Sequence, residues 1–213
     1  MELQEDSLLK NCSGEIDGLI VYTVGKKTYA RKKPEKVVDP RTASQLRQRA
    51  RFPAIQAFYQ SVKVGVLKEV YDLAAKEEES LSGYHLFMHF NIMAFGKENF
   101  IDYSLLRLSH GCQQLPYCLE MKGYDGRRVE FSWMDNSVSM AAQSSDRLLV
   151  AAVFDPDPFR VVMLTGVEAC RKDCWASVEL LGETWKEAHL YCFFGTGDRL
   201  RFSPSKYFKV TRE

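Results

Sequence analysis

This chain of 213 residues lacks most of the patterns that announce chemistry. It contains no Gly-x-Gly-x-x-Gly, no phosphate-binding loop, no Gly-x-Ser-x-Gly and no His-Glu-x-x-His. That leaves nucleotide, nucleophile-elbow and zincin chemistry without a motif, so no catalytic, cofactor-binding or metal-binding residues are expected and the chain reads as a non-enzyme. No apolar run approaches the ~20 residues of a membrane-spanning helix. The acidic start Met1-Glu-Leu-Gln-Glu-Asp6 has no basic stretch leading into an apolar one, so a secretory signal is not expected and a cytoplasmic protein is. Without such a signal the six scattered cysteines read as reduced thiols. A net charge of +1 excludes a protein that is basic all over. What is present, 46% hydrophobic and 12% aromatic residues, suffices for real cores and excludes wholesale disorder.

Charge is uneven along the chain. Between Gly25 and Arg51, ten basic residues face only Glu35 and Asp39, a local +8 that leaves −7 for the remainder. Such a stretch attracts an anionic partner, and Lys26, Lys27, Lys32, Lys33, Arg47 and Arg51 are the candidate contacts to nucleic acid. Tyr22 and Tyr29 lie beside them and offer rings on which bases stack.

Leu19-Ile-Val-Tyr-Thr-Val24 and Thr28-Tyr-Ala-Arg31, joined through Gly25-Lys-Lys27, read as a hairpin within residues 16–32. Thr42 and Gln45 have capping-box spacing and predict a helix start. Leu46, Ala50, Ala54, Ala57 and Phe58 form its apolar stripe, with a kink or break expected near Phe52 because Pro53 lacks an N–H. Arg41 and Arg49 are expected to hold hairpin to helix. A second amphipathic helix is expected over 66–76, and a third over 83–95, capped by Ser82 and ended by a left-handed Gly96.

After residue 100 short β-like runs recur at 104–109, 117–121, 128–133, 147–154, 160–165, 175–181, 188–194 and 206–211. Val129, Phe131 and Trp133 alternate inward, and Tyr191 is a candidate corner tyrosine. The expected class is α+β: a β-hairpin plus three-helix region over 1–100, then an immunoglobulin/fibronectin-III-like β-sandwich over 101–213. A sandwich of this kind most often binds or spaces things. The leading expectation is a binding or assembly protein with a protein partner or self-association, and the alternative is nucleic-acid binding through 26–51.

Three further constellations offer ligand groups. His85 and His89 share a helix face at a spacing that suits a metal, yet their neighbours suit packing. Cys170 and Cys174 fit half a metal site or a turn. Asp155-Pro-Asp-Pro158 fits calcium ligation or a strand end. In each case packing or turn formation is the favoured reading.

The run Asp17-Gly-Leu-Ile-Val-Tyr22, then Tyr29-Ala-Arg31, Lys33-Pro34 and Asp39-Pro-Arg-Thr42-x-x-Gln45-x-x-x-Arg49, resembles an uncharacterised bacterial family that carries a domain-of-unknown-function label. Ser82-Gly-Tyr-His-Leu-Phe87 and Ser203-Pro-Ser-Lys-Tyr207 look like its later landmarks, so the resemblance spans nearly the whole chain. It implies Thr42, Gln45, Arg41 and Arg49 as a structural signature and brings no activity with it.

Overall fold

The computed structural model describes residues 7, 9, 12–25, 27–36, 39–96, 100–180, 182 and 184–212. Among them are three α-helices and ten strands in three antiparallel sheets. No helix of the described residues is long and apolar enough to cross a membrane. The chain divides into two compact units, Met1–Thr42 and Ala43–Glu213. Residue 100, the expected domain boundary, lies inside the second.

The first unit is a three-stranded meander, with β1 (Gly14–Ile16) added to the expected hairpin of β2 (Leu19–Val24) and β3 (Lys27–Lys32). Gly25 closes the hairpin at φ +62, a conformation that glycine adopts without a Cβ clash. Side chains alternate across the sheet. Val21, Thr28 and Ala30 are buried on one face, whereas Tyr22, Val24, Lys27 and Arg31 are exposed on the other.

The second unit begins with α1 (Ala43–Val62), directly after Thr42 as the capping pattern predicts. The helix runs unbroken through Pro53, so the chain does not break near Phe52. One lost hydrogen bond is outweighed by burial of Ala54, Ile55, Phe58 and Val62 in a shared core. Of the expected stripe only Ala54 and Phe58 are buried, since Leu46, Ala50 and Ala57 are exposed. Helix α2 (Val66–Glu77) buries Leu67, Val70, Tyr71 and Ala74 as expected. Helix α3 (Gly83–Asn91) is capped by Ser82, whose Oγ accepts from the His85 backbone N–H at 3.3 Å. It ends four residues early in a 3-10 turn, Ile92–Ala94. Gly96 is not the left-handed terminator, because its N–H donates to the Phe100 carbonyl at 2.8 Å, beside a bridge between Phe95 and Ile101.

Seven of the eight expected strands are present: β4 (Tyr117–Tyr124), β5 (Arg128–Met134), β6 (Arg147–Phe154), β7 (Val161–Met163), β8 (Trp175–Glu179), β9 (Glu187–Gly195) and β10 (Lys206–Thr211). The run 104–109 is the exception. Side chains rather than a neighbouring strand satisfy its backbone: Arg107 N–H donates to Asn91 Oδ1 at 2.7 Å and Leu108 N–H to Ser205 Oγ at 3.1 Å.

One sheet has the order β10-β9-β6-β7 and the other β4-β5-β8. Alternation along β6 and β9 explains the layering. Leu148, Val150, Ala152, Leu190, Cys192 and Phe194 join Val129, Phe131, Trp133 and Val178 of the second sheet in one core. Ala151, Val153, Tyr191 and Phe193 point the other way and join Phe58, Tyr71 and Phe87 of the helices in another. The four-stranded sheet is thus covered on both faces, which is why its central strands read as unbroken apolar runs. Tyr191 is not a corner tyrosine, since its hydroxyl donates at 2.8 Å to the carbonyl of Tyr103, far upstream on the helical side.

Helices α2 and α3 cross where Gly83 stands. A Cβ there would lie 2.6 Å from Asp72 Oδ1 and 2.9 Å from the Tyr71 carbonyl carbon. Gly83→Ala should cost about 1–3 kcal/mol through overpacking. A lowered urea midpoint at constant m is the expected reading, and an unchanged midpoint would rule out so tight a crossing.

Candidate functional site

The basic stretch does not act as one block of free charge. Lys33 Nζ meets both carboxylate oxygens of Glu15 at 2.7 and 2.9 Å, and Lys32 pairs with Glu35 at 3.6 Å. Arg41 meets Asp39 through its guanidinium at 3.7 Å and its N–H at 3.3 Å. Lys27 is exposed on β3, and Lys26 lies outside the described residues. Arg47, Arg49 and Gln45 are exposed on the first half of α1, and Arg51 Nη1 donates to Met93 Sδ at 3.3 Å. Lys27, Lys32 and Lys33 belong to the first unit and Arg47 and Arg51 to the second.

The more built site lies at one end of the second unit, where β5 leads into the segment 135–146. Two residues of that segment, Val138 and Met140, are fully exposed. Beside them on the outer face of the three-stranded sheet stand Met134 and Tyr117, each 59% exposed, and Trp175 at 50%. The register places them together, because Tyr117 opposes Met134 and Trp175 opposes Ser132, the residue before Met134 on the same face. A bulge at Cys118, with φ +52, turns Tyr117 outward while Leu119 stays in the core.

The segment behind this patch is held rigidly. Arg171 and Asp146 are wholly buried and form an ion pair at 3.1 Å. The other two guanidinium nitrogens, Nη1 and Nη2, donate to Asn136 Oδ1 at 2.6 Å and the Gln114 carbonyl at 2.9 Å. Asp146 also accepts from Gln113 Nε2 at 3.2 Å and the Gln143 N–H at 2.8 Å. Trp133 Nε1 donates to the Arg171 carbonyl at 2.6 Å, and the guanidinium lies 4.8 Å above the Phe194 ring. Burial pushes the guanidinium pKa below its usual value, with Asp146 opposing that shift. A buried charge bonded through all three of its nitrogens pins the base of the loop that lifts Val138 and Met140.

A second cluster escaped sequence reasoning. Tyr103 stacks on His189 at 3.7 Å, and His189 Nδ1 shares a 2.9 Å hydrogen bond with the Tyr207 hydroxyl. They border a shallow cleft with Asp102 and the Glu187–Lys209 pair, which is 2.8 Å apart. Burial raises Tyr103 to about 12, also raises Tyr191 and Tyr207, and lowers His189. The hydroxyls are engaged internally: Tyr191 with the Tyr103 carbonyl, Tyr207 with His189, and Tyr103 with the Pro158 carbonyl at 3.5 Å. The cluster reads as a joint tying the 103–105 turn to β9 and β10. Residues 103, 189 and 207 are too far apart in the chain for any local pattern to join them.

The remaining candidates serve turns and caps. His85 Nδ1 lies 2.8 Å from Ser82 Oγ, and among the described residues no third His, Cys, Asp or Glu joins His85 and His89 in a metal cluster. Cys112, Cys118, Cys170, Cys174 and Cys192 are free thiols, and Cys170 and Cys174 flank the short turn that carries Arg171. Asp155 Oδ1 accepts from the Lys186 N–H at 3.0 Å and so ties a strand end.

Asp146→Ala should cost about 3–5 kcal/mol by leaving a buried cation without its partner. The double variant Asp146→Leu/Arg171→Met should lose less than the sum of the single losses in urea titrations, and strict additivity would count against coupling. His189 has a lowered folded pKa, so the unfolded chain takes up its proton first as pH falls. Its contribution is complete above the unfolded value of about 6.5 and declines as pH drops through the folded one. Glu187 and Asp155 oppose that lowering and Lys209 adds to it. Urea midpoints measured below about pH 6.5 should fall less steeply in His189→Gln than in the parent, and parallel profiles would refute the assignment.

A sequence search of the curated proteins finds no match. Among solved structures, the chain is similar to the FN1–FN3 domains of chicken CNTN1, with a TM-score of 0.34 at 13% identity. That likeness covers 49% of this chain and 34% of the other, so the chain spans about a third of its neighbour's length. The profile of a family of unknown function, DUF6266, matches residues 12–208. With nearly its whole length matched, the chain belongs to that family of unknown function.

Proposed function

We propose that this chain is a non-enzymatic binding or assembly protein whose β-sandwich, of the immunoglobulin/fibronectin-III-like kind, docks another protein. The sheet orders β10-β9-β6-β7 and β4-β5-β8 around a shared core support that layout. The single observation that carries the function is the segment 135–146. Its base is locked by a buried ion pair, yet it exposes Val138 and Met140 completely beside Tyr117, Met134 and Trp175.

Each such side chain gains about 1.5–3 kcal/mol when covered. A rigid base lets that gain be realised without the entropic cost of ordering a loop. Aromatic and methionine side chains are also what the centres of protein interfaces favour.

A photo-crosslinking residue placed at Val138 in cells should give one discrete protein adduct, or a dimer if the partner is a second copy. Trp175→Asp should abolish it, and the same crosslinker at Glu130 should give none. Equal, diffuse labelling at both positions would sink the proposal.

A further inference from the structure

The first unit has two unlike faces. Val21, Thr28 and Ala30 are buried on one. Register places Tyr22 opposite Tyr29 on the other, flanked by the pairs Ile20–Arg31 and Val24–Lys27. The two tyrosine rings stack at 5.8 Å and 25°, and the Arg31 guanidinium lies 5.8 Å from the Tyr22 ring. Tyr22 is 40% exposed, and Lys27 and Arg31 are exposed. Among the described residues no carboxylate pairs with Arg31. The face therefore carries an aromatic step bordered by cations, on a chain whose 25–51 segment is +8 while the rest is −7.

We infer that the β2–β3 face binds single-stranded nucleic acid, with Tyr22 and Tyr29 taking the flat faces of unpaired bases and Lys27 and Arg31 neutralising the adjoining phosphates. Charge complementarity selects a polyanion, and the aromatic step selects one with planar groups. A duplex hides its base faces in its own stack, and an acidic protein offers no planar repeat for two neighbouring rings to meet. Strands of six residues span about 20 Å, room for a few nucleotides. The ion pairs of Lys32 and Lys33 are exposed and weak, so those lysines can exchange carboxylate for phosphate at the margin of the face. The sandwich surface above is not involved, and either activity can fail without the other.

The test is fluorescence anisotropy of a labelled oligothymidylate of about a dozen nucleotides, with the full chain, from about 50 mM salt upward. Binding should weaken steeply with salt. Tyr22→Ala should weaken it about 5- to 150-fold, and Tyr22→Leu, which keeps strand propensity, should do so too. Arg31→Gln should flatten the log–log salt slope by about one. The inference is overturned if the parent fails to bind at about 50 mM salt, or if Tyr22→Leu binds like the parent. Equal affinity for a blunt duplex, or for polyglutamate of matched charge, would overturn it as well.

Discussion

The ion pair between Arg171 and Asp146 is the interaction on which the 135–146 end of the second unit depends. Both side chains are sealed from solvent, and removing two charges from water is costly unless every donor and acceptor finds a partner. Here the guanidinium reaches Asp146, Asn136 and the Gln114 carbonyl and faces the Phe194 ring. A buried pair of this kind adds little net stability over an apolar packing, but it ties together the segments that meet it. Those segments are the stretch before β4, the end of β5, the loop into β6 and the turn before β8. The exposed apolar patch rests on that junction.

The four-stranded sheet sets the second constraint. Because β6 and β9 are covered on both faces, the helices and the strands cannot be separate modules: Tyr191 and Phe193 belong to the helical core, and Leu190 and Cys192 to the inter-sheet core. The Ser82–Phe87 and Ser203–Tyr207 stretches serve this arrangement. Ser82 caps α3, and Tyr84 accepts from Gln56 Nε2 at 3.3 Å. Ser203 Oγ accepts from the Phe194 N–H, Ser205 Oγ accepts from two N–H groups of the 108–109 stretch, and Lys206 Nζ donates to the Leu119 carbonyl. Those serines, with Lys206 and Tyr84, are spent on architecture. Exposed Val138 and Met140 lie outside those two stretches.

A run of charge in sequence and a patch of charge in space are different quantities. A run of ten basic residues is conspicuous in one dimension, yet Lys32, Lys33 and Arg41 each find a carboxylate within a few residues in sequence or across the meander. What distinguishes the first unit is the register that sets Tyr22 beside Tyr29 and Arg31 over Tyr22 on one exposed face. That follows from strand pairing rather than from composition.

Sequence alone determined the elements whose cause is local. Helix starts at Ala43 and Gly83 followed from Thr42 and Ser82, α2 from its apolar period, and seven strands from apolar runs between turn residues, because caps, periodicity and turns act within a few residues. Where long-range packing competes with local preference the reading failed. Pro53 was overruled by the core beneath α1, residues 104–109 by the side chains of Asn91 and Ser205, and Tyr191 by the Tyr103 carbonyl. The Arg171–Asp146 pair, the His189 joint and the outward turn of Tyr117 were invisible beforehand, since each joins residues far apart in the chain or hangs on a bulge that no local pattern predicts. Tertiary structure alone decided them, because burial and partnership are properties of segments brought together rather than of segments.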